Sequence, residues 1–275
     1  MGSDHSKHVN GSIYVNFDKP FYYPGDIVTG TIFLNILNPL ETRGLELTLK
    51  IQEKIKFKDT EYRTEIRREI NPRTGIEESR NVQVPIEVER KDKSTLFQNS
   101  CVIATMMNNL FGFGQYAYPF SFTLPNFLPG SFEYYSNDIS ANIRYLVKAR
   151  ALRWNEHEQE LETKSILVVR HSQQGFSYPS QVTNEAKLTT MCFFNKGTSR
   201  LTVSFPKNTY SMDEQLSVLC ALDNRNSKLH CKNLKFQLIQ TLILKSHKHG
   251  NHTKYFSRII AESDNIGQYV ILNHI

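Results

Sequence analysis

The sequence predicts an all-β protein of two tandem β-sandwiches, the second incomplete. Three observations carry that expectation: apolar residues alternate with period two in successive runs, turn residues punctuate the runs, and one strand-turn-strand pattern recurs 188 residues later. At 275 residues, with 39% hydrophobic and 22% charged residues spread along its length, the chain has the composition of a folded protein with a sizeable core. Neither wholesale disorder nor a small disulfide-stapled scaffold fits.

Taken in order, Ile13, Val15 and Phe17 form the first alternating run, with polar residues between them. Tyr23-Pro24-Gly25-Asp26 then supplies turn chemistry. Leu45, Leu47, Leu49 and Ile51 make a second run and Val82, Val84, Ile86 and Val88 a third, with Asn71-Pro72 breaking the chain between them. Each fits a half-buried strand. Leu96, Phe97, Val102, Ile103 and Met106 predict the one helix, over 96–110, stopped by Gly112 and Gly114. Leu128-Pro129-Gly130 marks a turn before the run Ile143, Tyr145, Val147 and Ala149, and Asp223-Asn224 marks another late in the chain.

Shifted by 188 residues, Ile13, Val15, Phe17, Lys19, Tyr22, Asp26, Val28, Ile32 and Leu34 fall on Leu201, Val203, Phe205, Lys207, Tyr210, Glu214, Leu216, Cys220 and Leu222. With one inserted residue, Leu45, Leu47 and Leu49 meet Leu234, Phe236 and Leu238. One copy of such a design cannot bury its apolar face alone, so each copy heads its own sandwich. The expected organisation is a flexible N-terminus over 1–11, a sandwich over 12–170, a polar hinge containing Gly and Pro over 171–186, and a partial sandwich over 187–275. The shorter second copy leaves strand faces and an open edge for another chain, or further residues, to cover.

Lys and Arg total 33 against 27 Asp and Glu, a formal charge of +6. The excess is local: no acid occurs between Asp223 and Glu262, where Arg225, Lys228, Lys232, Lys235, Lys245, Lys248, Lys254 and Arg258 stand. Residues 41–93, by contrast, mix 13 basic and 12 acidic side chains and read as a solvated face, whereas the later segment suits an anionic partner. No apolar run approaches the ~18 residues of a membrane span, and the first 20 residues hold no stretch of signal-peptide type, so a soluble cytoplasmic chain is expected. Cys101, Cys192, Cys220 and Cys231 form no paired motif and are expected as free thiols.

Val15-Asn16-Phe17-Asp18-Lys19 and Tyr23-Pro24-Gly25-Asp26-Ile27-Val28-Thr29-Gly30 resemble the arrestin superfamily. A more specific cue is Gly114-Gln115-Tyr116-Ala117-Tyr118-Pro119-Phe120-Ser121-Phe122-Thr123-Leu124-Pro125, followed by Leu128-Pro129-Gly130-Ser131-Phe132 and Ile143-Arg144-Tyr145-Leu146-Val147-Lys148-Ala149, which resembles the core of that family's amino-domain. Asn208-Thr209-Tyr210 through Asp223-Asn224 resembles the opening of its carboxy-domain. The resemblance covers nearly the whole chain, and the short loops and YPGD turn are closer to the α-arrestin, arrestin-domain-containing branch. It implies two immunoglobulin-like sandwiches of arrestin type and a non-enzymatic adaptor, in the cytoplasm or at its membrane periphery. Such an adaptor binds membrane receptors, transporters or phosphoinositides in trafficking or signalling. Two alternatives share the architecture: a structural subunit of a cytoskeletal or axonemal assembly docked through the basic second domain, and a retromer-type coat subunit. No nucleic-acid partner and no cofactor are expected.

The resemblance also nominates residues. Arg170 matches an arginine that family members hold in a buried polar core until a receptor phosphate competes for it. A buried arginine needs carboxylate partners, and Phe21 stands at the matching acid position, so an ordinary strand-end charge is the competing reading. Lys235 and Lys254 match positions that bind inositol phosphates, and with Lys232 and Lys245 they form the candidate anion or phosphoinositide site; Ile239 stands at a third basic position. The alternative is a strand whose lysines resist edge pairing. No PPxY motif supports recruitment of a ubiquitin ligase.

Met1-Gly2-Ser3-Asp4-His5-Ser6 fits N-myristoylation at Gly2 and fits a cloning remnant equally well. His247, His249 and His252, with His230 and Cys231, match no zinc spacing, so they read as a solvated hairpin tip around Gly250-Asn251 and no metal is expected. Asn10-Gly11-Ser12 and Asn251-His252-Thr253 read as chance sequons. Gly112-Phe113-Gly114 lacks the third glycine of a dinucleotide loop, and no GxSxG, GKS/T or HExxH motif occurs; no catalytic residue is nominated and no enzyme is expected.

Overall fold

A computed structural model describes residues 7–8, 10–70, 72–73, 75–106, 108–153, 161–171, 177–190, 194–210, 214–248, 252–264 and 270–272. These residues form strands and no helix: β1 (Lys7–His8), β2 (Gly11–Phe17), β3 (Ile27–Ile36), β4 (Leu40–Ile70), β5 (Glu77–Thr105), β6 (Leu110–Phe111), β7 (Gly114–Thr123), β8 (Phe132–Tyr135), β9 (Ile139–Arg153), β10 (Glu162–Leu167), β11 (Ser180–Thr190), β12 (Phe194–Phe205), β13 (Leu219–Asp223), β14 (Lys235–Ser246), β15 (His252–Asp264) and β16 (Val270–Leu272). The chain divides into two compact units, one of Met1–Ser172 with Leu244–Lys254, the other of Gln173–Ile243 with Tyr255–Ile275.

In the first unit one sheet runs β1-β2-β3-β7 and the other β10-β9-β4-β5, with β6 beside β4 and β8 beside β9. Their inner faces make a single core. Ile13, Val15, Ile32, Leu34, Ile36 and Phe120 come from the first sheet, and Leu45, Leu47, Leu49, Ile51, Tyr145, Val147 and Ala149 from the second. The period-two runs therefore mark the inner faces of a sandwich, and each fully buried aliphatic side chain contributes about 1.5–3 kcal/mol of transfer free energy. The turn at Tyr23-Pro24-Gly25-Asp26 closes with the Asp26 amide donating to the Tyr23 carbonyl at 3.0 Å. Gly25 has φ +87°, a left-handed backbone conformation that favours glycine, and a Cβ there would also displace the Asn126 side chain, whose Oδ1 lies 2.1 Å from its place.

The helix expected over 96–110 is absent; β5 continues to Thr105 and β6 follows. Phe97 pairs with Ile51 and Cys101 with Leu47, while register shifts leave Leu96 and Ile103 without opposite numbers on β4. The bulge at Ile103 brings Phe97 and Ala104, an odd number of residues apart, to the same core-facing side and so breaks the period of two that marks a strand. Beyond the end of β9, which reaches Phe57 through Ile139, β4 and β5 continue as a two-stranded ribbon to the pair Ile70 and Glu77. Val82, Val84 and Val88 lie half-buried on this ribbon, and Ile86 is exposed.

The second unit has a sheet β11-β12-β13-β16; the remaining pair, β14-β15, has its tip within the first unit. Strand β11 begins at Ser180, opposite Phe205, inside the stretch read as a hinge. The repeat is reproduced pair for pair. Ile13 opposes Leu34 and Val15 opposes Ile32 in the first copy; 188 residues on, Leu201 opposes Leu222 and Val203 opposes Cys220. Tyr22 donates to the Thr29 carbonyl at 2.9 Å, and Tyr210 to the Ser217 carbonyl at 3.5 Å. Lys19 sits over the Tyr22 ring as Lys207 sits over Tyr210. The described thiols of Cys101, Cys220 and Cys231 are free, and Cys192 lies outside the described residues.

Candidate functional site

Arg170 is positioned by main-chain bonds on both sides of Tyr22. The Tyr22 amide donates to Val168 O at 3.0 Å and the Arg170 amide to Tyr22 O at 2.8 Å. The Leu128-Pro129-Gly130-Ser131 turn holds the same segment: the Ser131 amide donates to Val169 O and the Val169 amide to Ser131 Oγ at 3.0 Å. Gly130 is required by this approach, since a Cβ would meet the His171 nitrogen at 2.7 Å. Pro129 in turn accepts a bond from the buried Tyr145 hydroxyl, whose pKa burial pushes up to about 12. At the end of this segment Arg170 is exposed, and its guanidinium lies 3.7 Å from the centroid of the Phe21 ring. Among the described residues this arginine, stacked on an aromatic face in solvent, has neither the burial nor a carboxylate partner of the kind a phosphate-sensing polar core requires.

The four nominated lysines are spread along one hairpin and its approach. Lys232 is exposed in the loop before β14, and Lys245 is exposed near the tip. Lys235 pairs with Glu262 at 2.6 Å. Side-chain bonds from Gln237 to Glu262, Thr241 to Ser257 and Arg258 to Gln240 set the facing of the two strands. That facing places Lys254 opposite Leu244, roughly 30 Å along the strand from Lys235 at about 3.3 Å per residue. Lys235 and Lys254 thus do not converge on one phosphate. Lys254 Nζ instead donates to the carbonyl of Lys58 at 2.5 Å.

The hairpin tip is docked on the first unit's sheet, not simply solvated. Asp92 of β5 accepts the His247 amide at 3.0 Å, the Lys248 amide at 3.4 Å and the Ser246 hydroxyl at 3.4 Å. The His247 amide bond, helped by the Lys248 and Lys93 amides, outweighs desolvation and holds the Asp92 carboxyl below the usual aspartate range. His252 Nδ1 lies 3.2 Å from Asp59 Oδ2. The sequence signal for this docking was weak, because Asp59 and Asp92 stand in a mixed-charge stretch with nothing to distinguish them from solvated acids. His249 and Gly2 lie outside the described residues; among those described, no group of three His, Cys, Asp or Glu side chains is placed to hold a metal. Among the described residues no helix is long and apolar enough to cross a membrane.

Comparison with known proteins follows the same division of the chain. Residues 11–174 match the family described as Arrestin (or S-antigen), N-terminal domain, and residues 195–270 match Arrestin (or S-antigen), C-terminal domain. A relative from Dictyostelium discoideum, Arrestin domain-containing protein A, is 25% identical over 218 residues, covering 78% of this chain and 35% of the relative. The chain spans about a third of the length of that protein.

Proposed function

The chain belongs to the arrestin superfamily, and from that premise we propose that it is an adaptor whose two sandwiches bind the cytoplasmic tails of membrane receptors or transporters. Arrestin domains are non-catalytic scaffolds, so the coarser role, a non-enzymatic adaptor, follows from the family itself; the named relative supports placement with the arrestin-domain-containing branch. The observation that carries the reading is the repeated register, Ile13 with Leu34 and Leu201 with Leu222, which builds the opening of both domains on one plan. Trafficking or signalling in the cytoplasm, with peripheral contact to anionic lipid, is the setting this reading assigns. Lys232 and Lys245 supply the exposed charge for that contact, while Lys235 and Lys254 also serve the carboxylate and carbonyl partners described above.

The acid-free interval between Asp223 and Glu262 favours a second reading, a structural subunit of a cytoskeletal assembly with acidic surfaces. The immobilised 275-residue chain, offered solubilised membranes and cytosol, separates the two. Enrichment of membrane proteins, reversed by peptides from their cytoplasmic tails, supports the adaptor. Enrichment of tubulin or another filament protein without membrane proteins overturns it in favour of the assembly subunit. Cosedimentation with phosphatidylinositol-phosphate vesicles, lost in a Lys232→Glu, Lys245→Glu double variant, tests the lipid contact separately.

A further inference from the structure

The outer face of the first unit's β2-β3-β7 strands differs in chemistry from the rest of the surface. In a chain with 22% charged residues, no outward position on these three strands carries a charge. Ser, Thr, Asn and Gln fill most of them. Two aromatic rings stand among these groups. Tyr14 opposes Phe33 across β2 and β3, and the rings are stacked with centroids 4.8 Å apart and planes 14° apart. That separation is the spacing of neighbouring strands, so the stack runs across the sheet with its ring planes upright between strands. Phe33 therefore turns its second face toward β7, where the opposite residue is Ala117, exposed and carrying only a methyl group. The result is a slot with the Phe33 ring as its wall and Ala117 as its floor.

Neutral polar groups stand at both ends of the slot. Two residues along the strands, about 7 Å from Phe33, Asn35 faces Gln115, and the same distance the other way Thr31 faces Pro119. Among the described residues the side-chain amides of Asn35 and Gln115 take no hydrogen-bond partner, and each is both donor and acceptor. This chemistry selects the occupant. A charged ligand finds no counter-charge on the three strands, and its desolvation would go uncompensated. A purely apolar partner would leave the amides unpaired. A proline-rich helix, with three residues per turn, uses successive aromatic slots, and the rows flanking this one hold no aromatic ring. A neutral sugar fits, because a pyranose presents C–H groups on its flat face and, around its rim, hydroxyls that both donate and accept. We propose that the outer face of this sheet binds a neutral oligosaccharide, with one pyranose ring stacked on Phe33 above Ala117 and its hydroxyls bonded to Asn35, Gln115 and Thr31. The site goes beyond the adaptor reading and does not depend on it.

The probes are cellohexaose and maltohexaose, neutral glucans of opposite linkage geometry, titrated into the 275-residue chain while amide and aromatic NMR shifts are followed. Saturable shifts over 31–35 and 115–117 are expected with at least one of them, together with saturation transfer from the protein rings to the sugar C–H protons. Binding at least about tenfold weaker is expected for Phe33→Ala, which removes the wall, and for Ala117→Leu, which fills the slot. Ala117 is exposed, so the second variant should keep the urea unfolding midpoint of the parent chain and tests the slot even where loss of Phe33 unfolds the sheet. No saturable shift with either glucan at about 5 mM would overturn the proposal. So would undiminished binding by Ala117→Leu, or shifts confined to other surfaces. Tighter binding of decaproline than of either glucan at the same residues would assign the slot to a peptide and overturn it as well.

Discussion

The guanidinium of Arg170 is stacked on the ring of Phe21, 3.7 Å from its centroid, where the family pattern sets an acid against this arginine. An exposed cation-π pair of this kind contributes about 0.5–1 kcal/mol. Phe21→Ala should lower the urea unfolding free energy by about that amount, and a double-mutant cycle with Arg170→Ala should recover it as coupling. Additive single losses would dissociate the two side chains energetically. Since Arg170 is exposed and holds no ion pair among the described residues, neither variant should mimic activation by a phosphate.

The repeated tyrosine offers an internal control. Tyr22 is fully buried and donates to Thr29 at 2.9 Å, whereas Tyr210 reaches Ser217 at 3.5 Å from a more open setting. Tyr22→Phe is expected to cost about 1–2 kcal/mol, since it strips a hydrogen bond from a buried site, and Tyr210→Phe close to nothing. Equal costs measured by denaturant unfolding would contradict this account.

Leu49 and Leu238 occupy matching places in the repeat with unlike surroundings. Leu49→Ala opens a cavity inside a closed sandwich and should cost about 2–5 kcal/mol, while Leu238→Ala, at a side chain half in solvent, should cost less than about 1 kcal/mol. Thermal or chemical unfolding of the two variants measures the contrast.

Asp223 carries the clearest pH dependence. Side-chain bonds from Arg225, joined by the Arg225 amide, lower its pKa to about 2. Because the folded value lies below that of the unfolded chain, the stabilisation is present above the ordinary aspartate range and is lost as pH falls toward 2. Carboxyl NMR titration should place the Asp223 midpoint near 2, and Arg225→Ala should move it up toward the ordinary aspartate value. An unmoved midpoint would show that the arginine is not the cause.

Asp92→Ala should release the hairpin tip. The amides of His247 and Lys248, which both donate to this carboxylate, are expected to exchange faster in the variant, with β2 and β3 unchanged. In the parent chain the same acceleration should appear on acidification, as pH falls through the lowered pKa of Asp92.

Much of this was legible in residue order. The alternating runs at Ile13, Leu45 and Ile143 became inner faces, and the 188-residue offset became a shared register because both copies must satisfy the same cross-strand pairs. The helix expected over 96–110 is a strand in which the bulge at Ile103 breaks the period of two between Phe97 and Ala104, and a bulge is visible only once the partner strand is in place. The anion site over Lys235 and Lys254 joined residues that share a hairpin but stand far apart along it, a separation set by the facing of two strands and invisible to composition.

Sequence alone determined the all-β class and the duplicated plan, because side-chain alternation and turn chemistry act over a few residues; membership in the arrestin superfamily rests on the family matches over 11–174 and 195–270. Tertiary structure alone decided that Arg170 rests on Phe21 and that Asp92 and Asp59 receive the hairpin tip. Those features join groups distant along the chain, and their energies depend on distance, burial and pairing that only the folded arrangement supplies.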